Sequence, residues 1–256
     1  MKSLLLSEYE RTFKRKKTSI GIGIYFFMIV LQCLFIYLVG GVSFYDADHS
    51  VQLNSINTAP FFLRELGLLI NFILIPMFVV DSFNGEYHSG ALRLFLIRPQ
   101  KRVKLFLAKW LVQASLFLAL TFLTWLIATI FGQIMMPHVN ETTFLNTESL
   151  NLFEGLLYTL KFYGMTYVVF LCVIGISAFM SIVMPNPIMA YMGTVACLIG
   201  GIYISDQFIY FIIISDSIFN VLGNSGQYGF YVSLLFLFVI SHIMNVGIWT
   251  RKQWMG

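Results

Sequence analysis

Charge is what this sequence has least of: only 11% of its 256 residues are Asp, Glu, Lys or Arg, against about 25% in an average soluble domain. Hydrophobic residues make up 58%, more than a soluble fold of this size can hide, so lipid is the expected solvent for much of the surface. The three cysteines, Cys33, Cys172 and Cys197, are odd in number and lie inside apolar runs. That argues against a disulfide framework and against a thiolate metal site, and reads as packing. His49, His88, His138 and His242 are scattered, without the spacing that metal ligands need. No G-x-S-x-G elbow occurs. Gly85 to Gly90 gives G-x-x-x-x-G, but Ala91-Leu92 follows where a phosphate-binding loop needs Lys and Ser or Thr. No catalytic residue, metal or cofactor of its own is expected. A run of acidic residues at mid-bilayer depth, which proton- or sodium-coupled carriers usually need, is also missing.

What is present is a series of long apolar runs. A helix needs about 20 apolar residues to cross about 30 Å of hydrocarbon, and six runs are candidates: 20–39, 61–80, 105–131, 156–184, 188–205 and 228–249. The first is too long for a signal-peptide core and no A-x-A site follows it, so it reads as a retained span. A further apolar stretch, Phe208–Val221, is short and interrupted by Asp216. It reads as a re-entrant element in the outer leaflet before the last span.

Basic residues set the orientation. Arg11, Lys14, Arg15, Lys16 and Lys17 precede the first run, Arg93, Arg98, Lys101, Arg102 and Lys104 lie between the second and third, and Arg251 and Lys252 follow the last. The alternate loops hold Asp46, Asp48, Glu141, Glu148, Glu154, Asp206 and Asp216 and no Lys or Arg. Both termini are therefore expected in the cytoplasm. Arg64, Glu65, Lys109 and Lys161 lie near span ends, where long side chains snorkel to the interface. Asn71, Gln113, His242 and Asn245 are mid-span polar groups, either lining a translocation path or bonding helix to helix.

Residues 1–18 read as an interfacial amphipathic helix, with Leu4, Leu5, Tyr9 and Phe13 on a broad apolar stripe and Lys2, Glu10, Arg11 and Lys14 mostly off it. The segment DSFNGEYHSGALRLFLIRPQKRVK, residues 81–104, is the most informative. At 100° per residue, Glu86, Gly90 and Arg93 share one side of a short helix over Glu86–Ile97, and Tyr87, Ala91, Leu94 and Phe95 the other. Pro99 stops it. This helix is expected to show its carboxylate, bare glycine and guanidinium to the cytoplasm. Pro185-Asn186-Pro187 reads as a tight turn between two spans. No internal repeat or second domain is evident, and residues 1–256 read as one transmembrane domain.

Glu86-Tyr87-His88-Ser89-Gly90, the apolar Leu94 to Ile97, Pro99-Gln100-Lys101-Arg102 and Lys109 together resemble the E-x-x-x-G, P-x-x-R and following Lys of the ABC-2-type permeases. Glu8-Tyr9-Glu10 with Phe13-Lys14-Arg15-Lys16-Lys17 before the first span is similar to that family as well, as are the length and layout. The resemblance implies an all-α membrane protein of six spans with an N-terminal amphipathic helix, a coupling helix and the re-entrant element. Glu86, Tyr87, Gly90, Arg93, Arg98, Pro99 and Arg102 would dock on a separate ATPase subunit, aided by Glu8, Tyr9 and Phe13 of the N-terminal helix. Two copies of that ATPase, which binds the ATP and magnesium, would pair with two permeases, either two of this chain or this chain and a paralogue. Short permeases of this kind export amphipathic peptides, antibiotics or lipid-like substrates, or confer immunity to them, from a bacterial plasma membrane; no nucleic-acid partner is implied. Two alternatives stay open: a transporter or channel that works without ATP, and a non-transporting sensor or immunity protein.

Overall fold

The computed structural model describes residues 1–45, 50–88, 90, 101–145, 147–223 and 228–252. Helix α1 (Lys2–Lys14) is followed after a single extended residue, Arg15, by α2 (Lys16–Val39). A hairpin, β1 (Ser43–Tyr45) paired antiparallel with β2 (Ser50–Gln52), leads into the second long helix. That helix runs from Thr58 to His88 as α3 (Thr58–Leu69), α4 (Ile75–Val80) and α5 (Glu86–His88), joined by π turns over Ile70–Leu74 and Asp81–Gly85. Then come α6 (Arg102–Met135) and a second hairpin, β3 (Glu141–Thr142) with β4 (Leu150–Asn151). The chain continues through α7 (Leu152–Val183), α8 (Pro187–Gly200), α9 (Ile214–Gly223) and α10 (Tyr228–Arg251).

The chain is an all-α membrane protein apart from the two small hairpins. Among the described residues, five helices, over 16–39, 58–88, 102–135, 152–183 and 228–251, are long and apolar enough to cross a membrane. The fifth run of the sequence is the shorter α8, extended by one 3-10 turn to Tyr203. The stretch before the last long helix forms a 3-10 turn (Asp206–Phe211) and α9, which buries Ile214, Ile218 and Phe219.

Helix α2 shows why lipid is the solvent. Only Thr18, Gly21, Tyr25, Ile29 and Ile36 are buried, a single stripe at helical spacing, while Ile20, Phe27, Val30, Phe35 and Leu38 remain exposed. In water such a helix would be unstable; in hydrocarbon the exposed side chains cost nothing. The buried stripe is held by Tyr25, whose hydroxyl bonds Thr124 and lies 3.4 Å from the Leu120 carbonyl of α6.

Local irregularities are satisfied by neighbouring helices. Pro76 carries no N–H, so the carbonyl four residues earlier, on Phe72, loses its helical partner; the Tyr191 hydroxyl of α8 donates to it at 2.9 Å. Asn71, in the first π turn, donates to the Phe211 carbonyl at 2.8 Å and so ties the 3-10 turn to the second long helix. At the turn after α7, Asn84 donates to the Ser181 and Met184 carbonyls at 2.9 and 2.8 Å, closing that helix's C-terminus. Asn186 then caps α8 by accepting from the Met189 N–H at 2.8 Å, with Pro187 in the first helical turn. The start of α7 has a reciprocal capping box between Asn151 and Glu154.

At the end of the bundle that carries the hairpins, Asn54 donates to Thr142 at 2.8 Å and accepts from the Ile56 and Asn57 N–H groups, so one side chain joins the two outer loops. Helices α7 and α10 meet where a glycine lets them approach. A Cβ on Gly175 would lie 2.5 Å from the Ser241 hydroxyl oxygen, and Asn245 donates to the Gly175 carbonyl at 2.9 Å. Gly175→Ala is therefore expected to destabilise the protein by about 1–3 kcal/mol through overpacking, with Ser241→Gly restoring most of the loss. Thermal unfolding of the detergent-solubilised variants measures both.

Candidate functional site: a buried ion-pair cluster at the basic end

Lysine has three N–H donors and no acceptor, and a buried ammonium is costly unless each donor finds a partner. Lys109 of α6 is 0% exposed. Its Nζ donates to Glu8 at 3.2 Å, to the backbone carbonyl of Ser82 at 3.0 Å, and to Glu86. All three donors are used, and each partner comes from a different segment: α1, the second π turn, and the start of α5. Glu8 is 1% exposed and Glu86 6%.

The two carboxylates pass the network outward. Glu8 also accepts from Arg11, one turn on in α1. Glu86 accepts from Arg11 at 3.3 Å and from Arg15 at the break between α1 and α2. Asp81 completes the rim, held by Arg15 at 3.0 Å and Lys17 at 2.8 Å. Burial falls from Lys109 to the half-exposed arginines and to the exposed Lys17. The polar core of the cluster is thus dry and its edge wet. Tyr9 adds a hydroxyl bond to Ser115 of α6 and stacks on Phe13, with ring centroids 6.4 Å apart.

This geometry revises several expectations. Lys109 does not snorkel; it is enclosed. Glu86 does not face outward from the 81–104 segment but inward, onto Lys109, Arg11 and Arg15. The side of α1 that meets the bundle is Leu4, Glu8 and Thr12, one turn apart each, so a carboxylate sits in the middle of the buried face while Phe13 is exposed. The expected helix over Glu86–Ile97 does not run through Gly90. That glycine has φ +75°, a left-handed conformation, and the helix that Glu86 opens ends at His88. Residues 91–100 lie outside the described residues, and with them Arg93, Arg98 and Pro99.

Arg102 is occupied elsewhere. Its guanidinium donates to the carbonyls of Thr250 at 3.0 Å and Lys252 at 3.1 Å, the free acceptors at the end of α10, and its own carbonyl accepts from Trp249 at 3.0 Å. Lys252 in turn donates to the Ile182 carbonyl and lies 5.3 Å from the Tyr87 ring centroid. The start of α6 is thereby joined to the ends of α7 and α10.

The four mid-span polar residues do not gather around one path in these contacts. Asn71 bonds the 3-10 turn and Asn245 bonds α7. His242 packs its ring against Trp110, with centroids 4.5 Å apart, and against Phe238. Gln113 is buried with its carbonyl oxygen unpaired. Asp81, Ser82, Arg11 and Arg15 were not legible as one site with Glu8, Glu86 and Lys109, because the cluster joins residues as far apart in sequence as Glu8 and Lys109, 101 positions. No metal-binding group of His, Cys, Asp and Glu occurs among the described residues.

Removing one member of a buried ion pair strands the other, which costs about 3–5 kcal/mol. Lys109→Met should therefore destabilise the protein by that amount, and Glu8→Gln by less. The double variant should fall short of their sum by at least about 1 kcal/mol, because the two share one network. Thermal unfolding and protease cleavage between Lys14 and Lys16 report the loss; simple additivity would show that the two side chains act independently.

No curated protein matches the chain. Residues 24–253 match the family model described as "Protein of unknown function (DUF2705)", and the chain belongs to that family.

Proposed function

We propose that the chain is the membrane-spanning subunit of an ATP-driven exporter of the ABC-2 type, coupled to a separate ATPase. The observation that carries this reading is the Lys109 cluster. It binds the N-terminal helix, the base of the second long helix and the start of α6 into one block. The basic segment 91–100 leaves that block at Gly90 and returns to it at Lys101, next to the Arg102 anchor on α10. A push on the segment would therefore reach three membrane helices together rather than bend a loose loop. Transmission between sites needs such a packed, two-ended connection.

In this reading both termini and the 81–104 segment face the cytoplasm, and α8 with its 3-10 turn completes six spans. The Asp206–Phe211 turn and α9 form the re-entrant element. Two ATPase subunits hydrolyse ATP with magnesium and dock on Tyr87, Arg93, Arg98 and the exposed side of α1. Two permease chains pair across the membrane, and an amphipathic peptide, antibiotic or lipid-like molecule is moved outward. Glu8, Glu86 and Lys109 act behind the docking surface, holding it in position.

Two outcomes are expected. Cysteines introduced at Lys16 and Ser149 should be labelled by an impermeant maleimide from opposite sides of the membrane. In the complex with its ATPase, Arg93→Glu/Arg98→Glu should lower permease-stimulated ATP hydrolysis at least tenfold while leaving the unfolding temperature of the chain unchanged. Unaltered stimulation in that variant, or failure of any ATPase to co-purify with the native chain, overturns the reading.

A further inference from the structure

Two grooves at the basic end of the bundle share a wall. The larger, of about 680 Å3, is open and lies where α1 passes into α2. One side is basic: Arg11, Lys14, Arg15, Lys16 and Lys17. The other presents Asp81 and Glu86. Five cations against two carboxylates leave an excess of three positive charges, and the carboxylates are already held by Arg11, Arg15 and Lys17. Lys16 has no ion-pair partner among the described residues, and Lys14 makes only an exposed contact with Glu10 at 3.5 Å. The smaller groove, of about 240 Å3, is lined by Met77, Val80, Ile188, Tyr191 and Met192. It meets the first at Lys17, Asp81 and Pro187, and runs between the second long helix and α8, toward the apolar body of the bundle.

A site with a cationic mouth and an adjoining apolar cleft suits a ligand with a phosphate head and a hydrocarbon tail. We propose that these two grooves together hold one anionic phospholipid from the leaflet at the basic end. The phosphate sits among Lys14, Lys16 and Lys17, and one acyl chain lies in the cleft against Met77, Ile188 and Met192. Ile20 and Ile24, one and two turns beyond Lys16 and Lys17 on α2, are exposed, as are Met189 and Met192 on α8, so the cationic mouth adjoins apolar surface suited to acyl chains. The lipid would fasten the α1–α2 break to α8, a junction that the ion-pair cluster does not reach. Lipid binding here needs no ATPase, since every group in the site belongs to this chain.

The test uses the purified full chain in a neutral detergent, with native mass spectrometry to count bound lipid. Phosphatidylglycerol should bind well above phosphatidylcholine, and its binding should weaken with salt. Lys14→Gln/Lys16→Gln should weaken phosphatidylglycerol binding about thirtyfold, at about 1 kcal/mol per basic residue. Met192→Trp should weaken the lipid by blocking the cleft while leaving any binding of glycerol 3-phosphate unchanged. All three residues are exposed, so the unfolding temperature in the same detergent without added lipid should match that of the native chain. Equal binding of the two lipids, undiminished binding in the lysine variant, or inorganic phosphate binding as tightly as the lipid would each overturn the proposal.

Discussion

A single ammonium group with three acceptors, one from α1 and two from the base of the second long helix, organises the basic end of this protein. Lys109 projects from the second turn of α6 into a space closed by Glu8, Glu86 and the Ser82 carbonyl. In a medium with little water, an ammonium without partners is unfavourable by several kcal/mol, so α1 and the base of the second long helix must both close on it. That requirement holds α1 on the bundle, although α1 is short and carries a carboxylate on its inner face. It also requires the second long helix to present a carbonyl and a carboxylate four residues apart, which the π turn over Asp81–Gly85 supports by altering the helical phase.

The rest of the basic end follows the same logic of satisfied termini. Helices leave their last carbonyls without partners, and here side chains from other helices supply them: Asn84 and Lys252 at the end of α7, Arg102 at the end of α10. Each of these bonds spans about 70 to 150 residues of sequence, so they act as cross-links as well as caps. The opposite end is built differently. Two short hairpins joined through Asn54 and Thr142 close it, with no comparable ion-pair cluster among the described residues. Ion pairs and side-chain bonds to helix ends are concentrated where the basic residues are, which is the property that the proposed coupling to an ATPase exploits.

The membrane character and the positions of the long helices were legible because they rest on composition and on runs of contiguous residues. A charge-free apolar stretch such as Ile20–Val39 has one reading in lipid. The Pro185-Asn186-Pro187 turn was legible for a local reason too, since two prolines in three residues remove the backbone donors that a continuous helix would need there. The amphipathic character of residues 2–14 could also be read, but not its inward face. Amphipathic periodicity assigns carboxylates to water, and Glu8 is an exception only because a lysine 101 residues away meets it. Lys109 was misread for the same reason: near a span end, snorkelling and burial look identical in sequence. Glu86 and Gly90 fell on one side of an ideal helix, yet the chain leaves helical geometry at Gly90.

What the sequence determined by itself, then, is the solvent and the scaffold: long apolar helices, their approximate limits, and a basic end distinct from an acidic one. These depend on the hydration of side chains and backbone, which nearest neighbours along the chain already decide. Which charges are buried, which helix ends they close, and which segments they weld together were decided only by tertiary structure. An ion pair is favourable or unfavourable according to what surrounds it in space, and the surroundings of Lys109 are drawn from segments that no local pattern connects.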